Sequence, residues 1–229
     1  MRNCPEMKEG MVDFKINDVK ERIAKRDGQK PPTSGNTSGS SSLTSYKQCP
    51  DGNHPHLIDL GLPSGTKWAC CNMDAKKPED YGGYYAWGET TTKSKYTWEN
   101  YKHCDGTEET CKNLGASICG TQYDVAHVKW GGSWQLPTKT QIAEMIDKCK
   151  YEETVMNGVK GHKYTGPNGA SIFLPFAGLY SNILFFSGKH SYYWSGTPSS
   201  PGESYNLFQS ICSSRGNRCG GQSVRPVAR

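Results

Sequence analysis

Apolar and polar positions alternate in short runs along this chain and nowhere sustain a long period. Residues 57–69, L-I-D-L-G-L-P-S-G-T-K-W-A, read as strand, turn and strand, with a Pro-Ser-Gly turn of a kind compatible with type II. The run Y-G-G-Y-Y-A-W-G at 81–88 reads as an aromatic strand, its glycines placed where a ring or backbone approaches closely. Residues 90–122 are polar and predict a long surface excursion. A short helix is expected over 123–130, with Val125, Ala126 and Val128 inward. After a tight aromatic turn at 130–137, Thr138 caps a helix reaching Cys149, on which Ile142, Met145 and Ile146 fall at i, i+3 and i+4. Residues 159–164 and 170–176 read as strands around the turn G-P-N-G at 166–169. Short strands and two helices joined by long irregular connections predict an α+β domain, and connections of that length tend to carry function.

The last fifty residues organise the rest. S-I-F-L-P-F-A-G-L-Y (171–180), Y-Y-W-S-G-T (192–197) and G-Q-S-V-R-P-V (221–227) carry the apolar and aromatic side chains of a packed frame. Between them, 179–191 and 198–220 are rich in Gly, Ser, Asn, Arg and Cys, show no usable period, and read as loops. Irregular loops on ordered frames are how binding surfaces are commonly built. Leu179, Ile183, Leu184, Phe185 and Phe186 give the first loop an apolar character that marks a partner site if it faces solvent. The alternative is that Leu184 and Phe185 pack inward under the loop, and about half of the apolar set is expected to be core. Tyr180, His190, Tyr192 and Arg215 supply the aromatic and cationic anchors that dominate binding hot spots.

Upstream, residues 1–30 hold one amphipathic pattern, Phe14, Ile16, Val19 and Ile23 among charged residues, with Asn17 or Asp13 as cap. It is either an attachment helix, docking on a particle or self-associating through residues 11–26, or a frayed tail, since so short an isolated helix is marginal. Residues 31–45, P-P-T-S-G-N-T-S-G-S-S-S-L-T-S, form a flexible linker with a reach of roughly 20 Å. The folded domain takes 46–229.

Composition narrows the function classes. An apolar fraction of 34% with 26 glycines argues against a large helical core. The net charge of +5 is not gathered into a basic stripe, which argues against nucleic acid as partner. No run approaches the ~18 apolar residues of a membrane span. Ten cysteines suit an oxidising compartment, yet the first ten residues lack the apolar core of a signal peptide. A removed signal, carriage on a particle such as a virion, and free thiols all fit. Cys104 and Cys111 bracket a loop suited to a bridge, and Cys71 and Cys149 either pair or pack. Cys49, His54 and His56 resemble a zinc half-site with no second pair. Trp68, Trp87, Trp130, Trp134 and Trp194 read as core aromatics, and Arg225 as a structural hydrogen-bond donor.

Seven motifs occur in order: D-L-G-L-P-S-G-T-K-W-A (59–69), Y-G-G-Y-Y-A-W-G-E-T (81–90), Y-D-V-A-H-V-K-W-G-G-S-W-Q-L-P-T (123–138), N-G-V-K-G (157–161), T-G-P-N-G-A-S-I-F-L-P (165–175), Y-Y-W-S-G-T (192–197) and G-Q-S-V-R-P-V (221–227). Together they resemble the Fibrobacter succinogenes-type major paralogous domain, common in Bacteroidetes and their phages, over about 57–227. The resemblance implies a C-type lectin-like fold of the branch shared with formylglycine-generating enzyme, which also holds the variable proteins of diversity-generating retroelements. In those proteins the last fifty or so residues display hypervariable side chains on a rigid frame. A mutagenic reverse transcriptase replaces template adenines, turning Asn codons into Tyr, Ser, His, Gly, Cys, Arg, Ile, Leu or Phe.

Leu179, Tyr180, Asn182, Ile183, Phe186, His190, Ser191, Ser213, Ser214, Arg215, Asn217, Cys219 and Gly220 fall within that set. They are the ligand-binding residues the resemblance implies, and Tyr192 joins them as one of the aromatic anchors read from residue type. The chain departs from the family at Leu179-Tyr180, where an aromatic followed by Arg is commoner, and in a shortened loop after Leu207. The implied function is a non-enzymatic adhesin or receptor-binding protein on a cell surface or virion, taking a protein or glycan on a target cell. A calcium-dependent lectin of this fold needs converging oxygen ligands; Trp98-Glu99-Asn100 lies far upstream, and Asp59, Asp80 and Glu89 read as turn or cap residues. No metal and no cofactor is therefore expected. A second class is a copper-dependent thiol oxidase using Cys212 and Cys219, which are separated by six residues where four are expected. A disulfide stapling that loop is the plainer reading. A structural surface module is the third.

Overall fold

Three indoles, Trp68, Trp87 and Trp194, each 1% exposed, anchor the core, Trp68 in one apolar cluster and Trp87 with Trp194 in another. The computed structural model describes residues 57–229. The helix expected within 11–26, the linker and the half-site at Cys49, His54 and His56 lie outside the described residues.

In chain order the elements are β1 (Leu57–Asp59), β2 (Lys67–Ala69), α1 (Val125–Trp130), α2 (Lys139–Lys148), β3 (Lys150–Met156), β4 (Val159–Thr165), β5 (Ser171–Pro175), β6 (Leu179–Tyr180), β7 (Leu184–Phe185), β8 (Tyr192–Pro198), β9 (Glu203–Phe208), β10 (Ile211–Asn217) and β11 (Val227–Ala228). They form antiparallel sheets in the orders β1-β2-β11, β3-β4-β5, β6-β7 and β10-β9-β8. The architecture is mixed α+β, with two α-helices among the described residues. Val227 pairs with Trp68, so β11 closes against β2.

Local chemistry explains the helices. Thr138 accepts from the Gln141 N–H, and the Gln141 side chain accepts from the Thr138 N–H at 2.9 Å, a reciprocal cap that starts α2. Ile142, Met145 and Ile146 then bury one stripe with Tyr164, Tyr193 and Leu207. Asp124, fully buried, accepts from Ala126 and His127 through one oxygen and from Gly120 and Leu136 through the other. Val125 and Ala126 of α1 face inward as expected, but Val128 is exposed. Lys129, one turn after Val125, turns back to Asp74 and Tyr85, and Val128 falls on the solvent side.

Several sequence expectations need correction. The turn between β1 and β2 closes with Gly65 N–H donating to Leu62 at 2.9 Å, and the left-handed residue is Gly65 (φ 71°), whereas type II places it at Ser64. Residues 81–88 form an isolated bridge rather than a strand, Tyr85 pairing with Gln222. The excursion at 90–122 is no mere surface loop: Tyr96, Trp98 and Tyr101 pack with Ala86 and Cys219 in a cluster of their own, stapled by the Cys104–Cys111 disulfide. Residues 198–220 hold the hairpin β9–β10. Its alternation is hidden because the buried partners Ser204 and Asn206 are polar. Strand β3 was not expected at all. Cys71 and Cys149 pack within the same cluster as α2. Trp134 is buried, and Trp130 is half-buried with its ring edge-on to Trp134 at 5.0 Å.

Candidate ligand-binding face

Strands β6 and β7 form a small hairpin, Leu179 opposite Phe185 and Tyr180 opposite Leu184, tightened by Ser181 N–H donating to Ile183 at 3.0 Å. None of its apolar side chains is buried. Ile183 is 59% exposed, Leu184 and Phe185 38% each, and Leu179 and Phe186 are half-buried. The alternative with Leu184 and Phe185 under the loop does not hold, and the expectation that about half of the set is core is corrected. Gly178 (φ 72°) explains why: a Cβ there would stand 2.2 Å from the Phe185 carbonyl oxygen, so the hairpin backbone itself occupies that space. Below it the space is filled by rings, Phe186 on Tyr192, Tyr192 on Phe208 at 4.8 Å, and His190 between Phe186 and Phe208.

The hairpin is anchored on its other side. Tyr180 and Gly221 exchange backbone hydrogen bonds, and Tyr96 of the excursion donates its N–H to Ser181 at 3.0 Å. The Tyr180 ring lies 5.5 Å from Tyr96 and 5.7 Å from Tyr84. Gly221 has to be glycine because a Cβ would meet the Tyr96 ring at 2.9 Å. Asn217 accepts from the Gly220 N–H, and a Cβ on Gly220 would lie 3.9 Å from the Tyr180 oxygen. Tyr180, Asn217 and Gly220 therefore meet, and the two C-terminal segments touch there.

The remaining expected residues divide. Ser214 pairs with Asn206, and a Cβ on Gly216 would meet Trp194, Asn206 and Gln222; that face of β10 looks toward the C-terminal block. Arg215 pairs with Tyr205 and so points to the opposite face, where the Lys139 ammonium sits 3.7 Å over the Tyr205 ring. Arg215 is corrected from the hairpin side to the α2 side. Ser213 and Asn182 are exposed. Ser191, Tyr192 and Cys219 are sealed and leave the displayed set: Tyr192 lies in the ring stack, Ser191 stands beside Gly178, and Cys219 packs under Tyr96 and Tyr101. His190 is half-buried and receives the Gln209 amide on Nδ1. Burial and nearby Lys189 hold its imidazole below the ordinary range, against the pull of Glu153. It supports the hairpin from beneath.

Cys212 and Cys219 are not joined: Cys212 packs against the α2 cluster and Cys219 belongs to the Tyr96 cluster. The expected loop staple is corrected. Among the described residues no three His, Cys, Asp or Glu side chains come together to hold a metal ion.

Two arginines fix the frame: Arg218, which the sequence reading missed, and Arg225, expected as a structural hydrogen-bond donor and found as one. Arg218 is buried with its guanidinium 4.2 Å from the Trp87 ring; it donates to Ser200 at 2.7 Å, to Ser204 Oγ and to Lys112. Burial lowers its pKa. Beside it lies a cavity of about 250 Å³ lined by residues 198–201, Cys111 and Asn113. Arg225 is 1% exposed and donates to Asn72 Oδ1 and to the carbonyls of Ala69, Cys70 and Phe173 at 2.8–3.1 Å. The aromatics at 96, 98 and 101 within a polar stretch were the signal for the supporting excursion. Between 177 and 222 the only carboxylate is Glu203, and Ile183, Leu184 and Phe185 are exposed together, so the displayed part of the hairpin is apolar.

No helix among the described residues is long and apolar enough to cross a membrane. Comparison of the chain with protein-family models, with curated proteins and with solved structures finds no match.

Proposed function

We propose that this chain is a non-enzymatic binding protein of C-type lectin-like fold, an adhesin or receptor-binding protein of a cell surface or virion. Its ligand face is the β6–β7 hairpin with the adjoining turn at 217–220, and its side chains are diversified by a retroelement. The observation that carries the reading is the joint exposure of Ile183, Leu184 and Phe185 on a hairpin held by Gly221 and Tyr96. Apolar side chains displayed together on a fixed backbone cost little ordering on binding, which suits recognition of another molecule's surface. The ring stack below and the arginines behind are frame. Cys212 and Cys219, in separate clusters, lend no support to thiol oxidation.

The test is binding of the purified chain to a panel of intact bacterial strains, beside the triple variant Ile183→Ser, Leu184→Ser, Phe185→Ser. The expected result is retention on at least one strain and a loss of about tenfold or more in the variant, with its melting temperature held. Equal retention by the variant would remove the hairpin from the ligand face. A near-copy of the 3′ coding end, differing at adenines beside a reverse transcriptase gene, is the genomic counterpart.

A further inference from the structure

Strand β3 ends its sheet, and nothing among the described residues pairs with its far side. Its register with β4 runs through seven consecutive pairs without a bulge, and it contains no proline, so charge alone, at Lys150, Glu152 and Glu153, marks this edge and selects what can pair with it. The direction of its backbone follows from two observations. The two-residue turn Asn157-Gly158, both at positive φ, makes Met156 and Val159 a hydrogen-bonded pair. Phe176 N–H donates to Lys160 at 2.8 Å, so Lys160 turns toward β5, and Val155 opposite it turns away from β4. By the two-residue period, the N–H and C=O groups of Tyr151, Glu153 and Val155 all point outward.

We propose that this edge is a second docking surface, which takes an extended peptide segment of a partner protein as a fourth strand of the β3–β4–β5 sheet. Main-chain hydrogen bonds supply the affinity of such strand addition, and alternate side chains supply the selectivity. Tyr151, Glu153 and Val155 share the sheet face of His162; Tyr151 is half-buried, Glu153 exposed and Val155 58% exposed. The matching segment therefore alternates apolar, basic and apolar residues opposite them. A second copy of the chain is a poorer occupant, because two-fold pairing of all seven residues sets Glu153 against its own counterpart.

The probe is the synthetic peptide Thr-Val-Thr-Lys-Thr-Val-Thr, followed by amide NMR and hydrogen exchange on the full chain. Its control is the same peptide N-methylated at the Val and Lys residues. Expected are shifts and a roughly tenfold slowing of exchange at Tyr151, Glu153 and Val155, absent with the methylated peptide and weakened by Glu153→Lys. No shift at about 1 mM peptide, shifts confined elsewhere, or equal binding of the methylated peptide would overturn the proposal. So would a concentration-dependent dimer abolished by Glu153→Lys, which would make a second copy the occupant.

Discussion

Tyr180 and Gly221 exchange both backbone hydrogen bonds, at 2.7 and 2.8 Å, and so tie the first irregular C-terminal segment to the last block of the chain. Gly221 is in turn pressed against the Tyr96 ring, whose own backbone holds Ser181. Three stretches far apart in sequence thus fix one hairpin, which leaves Ile183, Leu184 and Phe185 exposed.

Gly221→Ala tests that coupling. The added methyl stands 2.9 Å from the Tyr96 ring and must displace it. The expected cost is about 1–3 kcal/mol, read as a lower denaturant midpoint. Amide exchange at Tyr180 and Ser181 should quicken more than exchange along β8.

Arg225→Met tests the frame behind. The substitution removes a buried guanidinium that satisfies Asn72 Oδ1 and three carbonyls. Leaving those acceptors unpaired costs about 3 kcal/mol or more. Urea unfolding at neutral pH should show it, with the melting temperature falling in parallel.

His162 gives a pH signature. Burial among Tyr151, Tyr164 and Phe176 pushes its pKa down from 6.5 to about 4. Between those values the unfolded chain binds the proton and the folded one does not, so stability falls as pH drops from 6.5 toward 4 and is full above 6.5. The span corresponds to at most about 3 kcal/mol. Urea midpoints measured from pH 7 to 4 should fall less steeply in His162→Phe than in the wild type; identical slopes would place the sensitivity elsewhere.

The elements legible in the sequence were those whose own residues determine them. Thr138 announced α2, the apolar stripe at 142, 145 and 146 marked its buried face, and the turn at 166–169 separated β4 from β5. What was illegible depended on distant partners. β9 and β10 hide their alternation because Ser204 and Asn206 are buried polar residues, bonded to Arg218 and Gln222. β3 carries two glutamates and a lysine, and only its Asn157-Gly158 turn betrayed a hairpin. The positions expected to bind were chosen by residue type, which does not distinguish Asn182 in solvent from Cys219 under Tyr96 and Tyr101. Nor does type reveal that Arg215 and Ser214, adjacent in sequence, face opposite ways on one strand.

The most direct measurement is fold retention, scored by protease resistance on a display surface, for two matched libraries. One randomises Asn182, Ile183, Leu184 and Phe185; the other randomises Ser191, Tyr192 and Cys219. The expected result is that most members of the first stay folded while few of the second do. Equal loss of folding in both would contradict a frame that carries its displayed side chains without depending on them.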